Sequence, residues 1–186
     1  MAGMSGVLIL GGVVLVVGLW LISSYNSMVK LRNMVRNSWA QIDVQLKRRF
    51  DLVPNLVETV KGYAAHEKEV LEKVTQARSM VQSAQSIEQR QQAENQLTNT
   101  LRSLFAVAEA YPQLKANDNF RDLQQQLSEL EEKIAFARQF FNDTTMKYNT
   151  TIQSFPTNLL AGMFGFQALP FFEVDDVQRQ AVQVKF

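Results

Sequence analysis

The chain has 186 residues, of which 20% are charged, with 19 Lys and Arg against 18 Asp and Glu. This balance gives a formal net charge of +1, so no charge excess points to nucleic acid or to an acidic partner. Cysteine is absent, which excludes disulfides, thiolate nucleophiles and thiolate metal sites. Once an N-terminal membrane segment is set aside, the remaining length suits one domain with its own hydrophobic core.

The N-terminus carries an uncharged apolar run over residues 3–22, with Trp20 near its end. A helix of about 20 such residues crosses the hydrocarbon layer of a bilayer. A cleaved signal peptide would need a basic start and a small-residue cleavage site, and residues 1–6 contain no Lys or Arg. The sequence therefore predicts an uncleaved transmembrane anchor over residues 1–23.

The region that follows the anchor is basic. Residues 23–50 contain the single acid Asp43 and the bases Lys30, Arg32, Arg36, Lys47, Arg48 and Arg49. Since basic flanks stay on the cytoplasmic side, we expect a single-pass protein of the cell membrane with its N-terminus outside and its domain cytoplasmic. Lys30 and Arg32 lie in the first turns after the anchor, where they can reach anionic lipid headgroups.

Apolar residues after the anchor recur at spacings of 3, 4 and 4 from Met28 to Val57, which predicts a straight helix that continues the anchor. Pro54 is expected to interrupt this helix, because an interior proline removes a hydrogen bond and clashes one turn back. The pattern then predicts a second helix from Pro54 to about Ala84.

A third helix is predicted after the capping residue Ser86 and is expected to end at Pro112. A short polar connection leads to a fourth, which begins near Asp118 and ends before Pro156. Four amphipathic helices with short connections favour an antiparallel four-helix bundle over residues 24–155. The predicted fold class is therefore all-α, an N-terminal transmembrane helix followed by that bundle.

The residues needed for catalysis do not occur together. His66 is the only histidine, and the second histidine of a zinc protease motif is replaced by Val70. Glu131 and Glu132 are adjacent on a helix and do not face each other. No phosphate-binding glycine loop is present. We therefore expect no catalytic, cofactor-binding or metal-binding residues, no cofactor and no enzymatic activity.

The basic triplet Lys47-Arg48-Arg49 lies on the order of 37 Å beyond the anchor along the helix, too far for lipid contact. Asp43 lies four residues before Lys47 and Asp51 is nearby, so local ion pairing is the favoured interpretation. A contact with a partner or a second subunit remains the alternative.

The last part of the chain, residues 156–186, contains an apolar aromatic segment and a tail. Residues 155–172 carry no charge, and an up-and-down bundle would return them to the membrane side. We expect Phe164, Phe166, Phe171 and Phe172 to make contacts outside their own bundle, with lipid or a neighbouring subunit. Covering the base of the bundle core is the alternative.

The C-terminal tail alternates apolar and polar residues in the manner of a strand, with Val182, Val184 and Phe186 on one side. We expect the tail to add to a neighbouring chain or to pack on the bundle. A frayed terminus is the alternative.

The run from Ile42 to Tyr63, IDVQLKRRFDLVPNLVETVKGY, closely resembles the LemA family. Further similarities include Tyr25-Asn26, Ala137-Arg138, Tyr148-Asn149 and the sequence Phe171-Phe172-Glu173. The resemblance covers nearly the whole chain. It implies an N-terminal anchor with the short terminus outside, followed by a four-helix bundle, and it supplies no catalytic residues.

These patterns favour a non-enzymatic, membrane-anchored helical scaffold or assembly module that self-associates in the bacterial cell membrane. Glycines in the anchor would permit close approach of helices from two copies. The alternative is an adaptor that binds and regulates another membrane protein, such as a transporter or a protease. The expected partners are thus membrane lipid, further copies of the chain and, under the alternative, a membrane protein, but not nucleic acid.

Overall fold

The computed structural model describes the backbone of residues 2–172 and the side chains of residues 9–172. This part of the chain forms helices and contains no strand. The helices are α1 (Ala2–Tyr63), α2 (Lys68–Ser83), α3 (Ile87–Glu109), α4 (Pro112–Lys115), α5 (Asp118–Gln153) and α6 (Thr157–Met163). The predicted all-α class is confirmed.

The apolar run lies in the first part of α1. The run is described from Ile9 to Ile22. Its large apolar side chains are exposed nearly all round the helix. Among the described residues, α1 is the helix that is long and apolar enough to cross a membrane. A core helix of a soluble domain would bury these residues, so their exposure is typical of a helix that faces lipid.

α1 continues through Pro54 to Tyr63, so the predicted start of a second helix at Pro54 is wrong. Proline has no N–H, which leaves the carbonyl of Phe50 without its usual helical donor. The Nε of Arg78 in α2 donates to this oxygen at 3.4 Å, and the Arg78 guanidinium lies 4.0 Å from the centre of the Phe50 ring. A distant side chain thus replaces the bond that Pro54 removes.

The predicted cap of the third helix is confirmed, because Ser86 Oγ accepts a hydrogen bond from the Gln89 N–H at 3.1 Å. α3 ends at Glu109 rather than at Pro112, which instead begins the short helix α4, where its missing N–H is harmless. Leu114 of α4 is fully buried, so the predicted polar connection contains part of the core. α5 begins at Asp118, as the pattern predicts.

The helices divide into two compact units. Unit 1 contains residues 2–40 and Gln139–Phe171, and unit 2 contains Gln41–Arg138 with Phe172. In unit 1, Trp39 and Phe141 pack edge to face with ring centres 5.5 Å apart. Besides Phe141, the buried apolar residues of unit 1 are Met28, Leu31, Val35, Tyr148, Ile152, Leu160, Ala161 and Phe166.

Unit 2 has a continuous hydrophobic core to which all five of its helical segments contribute. The core contains Val53, Leu56 and Val60 of α1; Leu71, Val74, Ala77 and Val81 of α2; Leu97, Leu101 and Leu104 of α3; Leu114 of α4; and Phe120 and Leu127 of α5. Within α1, α2 and α3 these residues recur every three or four positions, and the two of α5 are seven apart. This spacing places them on one face of each helix.

Candidate functional site

The uncharged aromatic segment after α5 lies beside α1 in unit 1. Tyr25 follows Ile22, the last residue of the apolar run, by three positions. The Tyr25 ring packs edge to face against Phe164 and Phe166, with ring centres 5.0 and 5.8 Å apart. The segment therefore contacts the first turn of α1 after the apolar run.

Two polar side chains of α5 hold this segment in place. Tyr148 donates a hydrogen bond to the carbonyl of Gln167 at 3.0 Å. The amide of Asn149 bonds both the N–H and the carbonyl of Leu169, each at 2.9 Å. Burial raises the pKa of the Tyr148 phenol above its ordinary value, and nearby Arg32 partly opposes this, so the phenol remains a donor at neutral pH.

Gly165 turns the chain at the end of α6. Its φ of 70° lies in the left-handed region, which L side chains rarely adopt. The N–H of Phe166 bonds the carbonyl of Ala161 at 2.9 Å, a pattern typical of glycine-terminated helices. The turn lies between Phe164, which is exposed, and Phe166, which is buried.

The structure separates the four predicted contact residues into two pairs. Phe164 and Phe171 are 58% and 44% exposed, whereas Phe166 and Phe172 are 8% and 2% exposed. Phe166 packs on Tyr25, and Phe172 lies 4.4 Å from the Arg138 guanidinium. The two buried rings thus lie in the interior of the chain. That these four residues include contacts outside their own bundle stays a prediction.

Sequence reasoning did not single out three other exposed residues of this segment. Phe155, Leu159 and Met163 are 80%, 60% and 79% exposed. Together with Phe164 they form what we call the α6 apolar surface. The absence of charge in this stretch was the available signal, but it did not distinguish outward from inward side chains.

Of the two predicted basic contacts, Arg32 lies beside the same segment. Lys30 is exposed, and Arg32 is half-buried with its guanidinium 5.0 Å from the centre of the Phe166 ring. Arg32 Nε has no hydrogen-bond partner within the described part of the chain. Val182, Val184 and Phe186 lie outside the described residues.

Unit 2 contains a buried ionic cluster around Arg49. Its Nη1 donates to Thr98 Oγ1 at 2.7 Å and also to a carboxylate oxygen of Glu131. Its Nη2 donates to Glu94 Oε2 at 2.5 Å and to the Glu94 carbonyl at 3.3 Å. The side chains of Arg49 and Glu94 are fully buried, so this pair connects α1 to α3 inside the unit.

The cluster extends to the surface through Arg90, whose Nε bonds Glu94 Oε1 at 2.9 Å. Arg90 also pairs with Asp43 at 3.5 Å, so the predicted pairing of Asp43 with Lys47 is not the one observed. The predicted local pairing is also wrong for Arg49, which pairs with the distant acids Glu94 and Glu131. Its position midway between buried Leu46 and Val53 on α1 was the signal that could have revealed this.

Arg138 is a second buried cation in unit 2. Burial, with a smaller contribution from the like charge of Arg49, lowers its pKa to about 10, while Glu131 and Glu94 oppose the shift. Arg138 therefore remains charged at neutral pH. The hydrogen-bonded ion pairs of the cluster connect α1, α3 and α5 inside unit 2.

Within the described residues, no group of three or more His, Asp and Glu side chains is placed to hold a metal ion. His66 is exposed. A surface cleft of about 340 Å³ lies between α3 and α5 of unit 2, lined by Thr98, Leu101, Phe105, Leu127, Ser128 and Glu131 among others. Its lining contains both polar and apolar side chains.

Comparison with known proteins adds sequence relatives. The LemA family model matches residues 38–186. Magnetosome protein MamQ 2 of Paramagnetospirillum magneticum is 25% identical over 179 residues, which cover 82% of this chain and 66% of the relative. MamQ of Magnetospirillum gryphiswaldense is 25% identical over 178 residues, which cover 82% of this chain and 65% of the relative. Protein LemA of Metamycoplasma hominis is 24% identical over 156 residues, covering 83% and 71%. The chain thus spans just under two thirds of the MamQ relatives.

Proposed function

Because this chain belongs to the LemA family, we propose that it is a membrane-anchored helical scaffold without enzymatic activity that self-associates in the bacterial cell membrane. The observation that carries this proposal is the continuity of α1. One helix contains the exposed apolar run and also supplies Val53, Leu56 and Val60 to the core of unit 2. A membrane anchor and a folded domain therefore share one helix.

The domain of this scaffold is proposed to be an antiparallel four-helix bundle formed by the second part of α1, α2, α3 and α5. The shared core of unit 2 and the short connections between these helices support this arrangement. The proposed orientation places the N-terminus outside and the bundle in the cytoplasm, supported by the basic flank of the anchor.

Self-association is supported by the anchor itself. Gly11 and Gly18 are seven residues apart, so they lie on the same face of α1. No atom lies within 4 Å of where a β-carbon would stand at either glycine. Glycines on one face let two membrane helices approach closely, which favours packing between copies.

The size of the assembly in native membranes tests this proposal. The full chain, extracted into polymer-bounded membrane discs, is expected to be multimeric by single-molecule photobleaching. Replacing Gly11 and Gly18 by Leu should lower the multimeric fraction several-fold, because the larger side chains separate the helices. Val16→Leu, on the opposite face, is the matched control and should leave the fraction unchanged. A wild-type chain that is monomeric at every density contradicts the proposal.

An adaptor for another membrane protein is the second candidate, and the cleft between α3 and α5 is the observation that favours it. This candidate requires a different protein, present in a fixed ratio, in the same membrane discs. Recovery of such a partner with a monomeric chain would select the adaptor over the scaffold.

A further inference from the structure

We propose that the α6 apolar surface, formed by Phe155, Leu159, Met163 and Phe164, binds lipid in the headgroup layer of the same bilayer that α1 crosses. The chain would then have two membrane contacts in unit 1, one transmembrane and one interfacial. This inference rests on the proposed anchoring by α1.

The first support is the position of the surface along α1. Tyr25 lies about 4.5 Å beyond Ile22 at the rise of a helix, so it stands where the hydrocarbon layer meets the headgroups. The Phe164 ring is 5.0 Å from the Tyr25 ring. The C-terminal end of α6 is therefore at interfacial depth whenever the apolar run spans the bilayer.

The second support is the two-sided character of α6. Leu160 and Ala161 are buried toward the rest of unit 1. Leu159 and Met163 are four residues apart on a different face, and both are strongly exposed. Soluble monomers rarely expose several large apolar side chains together, whereas helices that lie in the membrane interface do so.

The third support is charge. Residues 155–172 contain no charged side chain, so no group in this stretch opposes its partial insertion among lipids. The predicted basic contacts on α1 in unit 1 are exposed Lys30 and half-buried Arg32, which packs on Phe166. Cations beside an apolar surface suit the phosphate groups of lipid headgroups.

A second copy of the chain could cover the same side chains, but the bilayer is favoured because it is continuous with the exposed apolar run of α1. Phe164 of the α6 apolar surface contacts Tyr25, which follows the last residue of the run by three positions. Lipid therefore reaches this place without any further partner.

Depth-dependent quenching tests the proposal on the full chain. Since the chain has no cysteine, Met163→Cys, Met34→Cys and Val16→Cys can each carry one fluorescent label. Each labelled protein is reconstituted in phosphatidylcholine–phosphatidylglycerol vesicles with lipids spin-labelled either near the headgroup or deep in the acyl chain. Met34 is the matched control, an exposed methionine about 18 Å beyond Ile22 on α1.

The label at position 163 is expected to be quenched several-fold more by the headgroup-proximal spin label than the label at position 34. Equal quenching at the two positions overturns the proposal. Weak quenching at position 163 that becomes strong only when vesicles contain one chain each also overturns it, because a second copy then shields this surface from lipid. The label at position 16 tests the anchor separately. If the deep spin label does not quench it, the proposed anchoring itself fails.

Discussion

Arg49 shows how one residue can connect distant helices. Its guanidinium is fully buried and bonds Glu94, Thr98 and Glu131, so its charge is neutralised where water is excluded. Removing two ions from water is costly, and the attraction between them offsets this only while both are present. The pair therefore specifies how α1 and α3 pack more than it adds net stability.

The Glu94→Gln substitution is expected to destabilise the protein by about 1.5–3 kcal/mol, because it removes the fully buried carboxylate that pairs with Arg49 and leaves only the partly exposed Glu131. Adding Arg49→Met to this variant should recover much of the loss, since the buried charge is then removed. The measurement is urea unfolding of the detergent-solubilised chain, followed by circular dichroism.

Glu69→Gln is the matched control for this experiment. Glu69 pairs with Lys73 at 2.6 Å, but both side chains are exposed, so little change is expected. A loss no larger at Glu94 than at Glu69 would contradict the structural role assigned to Arg49.

At the scale of elements, α1 is informative because a proline lies inside it. The Phe50 carbonyl that Pro54 leaves without a helical donor is bonded by Arg78 of α2. The same guanidinium stacks on the Phe50 ring. Continuity of α1 at this point therefore depends on tertiary contact with α2 as well as on local preference.

A double-mutant cycle isolates this bond. Arg78→Met should cost about 1 kcal/mol more in the natural chain than in the Pro54→Ala variant, where the backbone N–H regained at position 54 can bond the Phe50 carbonyl itself. The stacking on Phe50 is lost in both backgrounds and cancels. The same unfolding measurement gives the four free energies, and a coupling of zero would show that Arg78 does not replace the missing donor.

At the scale of the whole molecule, the proposed anchor predicts an orientation across the membrane. Ser5→Cys and the exposed Asn119→Cys each introduce a single thiol into a cysteine-free chain. With the N-terminus outside, a membrane-impermeant maleimide is expected to label position 5 in intact spheroplasts and position 119 only after permeabilisation. The natural chain, which contains no cysteine, is the control for labelling that does not involve the introduced thiol. Labelling of position 119 in intact spheroplasts would place the domain outside and reverse the orientation inferred from the basic flank.

The sequence by itself determined the long apolar N-terminal helix, the all-helical class and several helix ends. These features depend on interactions within a few residues: uncharged apolar side chains transfer to lipid one by one, and Ser86 caps the N–H of Gln89 in its own turn. Repetition at three and four positions identified Met28, Leu31 and Val35 as buried. The family was recognised on the run from Ile42 to Tyr63.

Only the tertiary structure decided the features whose partners are distant in sequence. The donor that replaces the missing bond at Pro54 lies on another helix, and the acids that neutralise Arg49 are 45 and 82 residues away. Whether Phe164 and Phe166 are exposed or buried depends on the turn at Gly165 and on Tyr25, which lies far earlier in the chain. Periodicity indicates which face of a helix is apolar, but burial of a charge or an aromatic ring depends on what packs against that face.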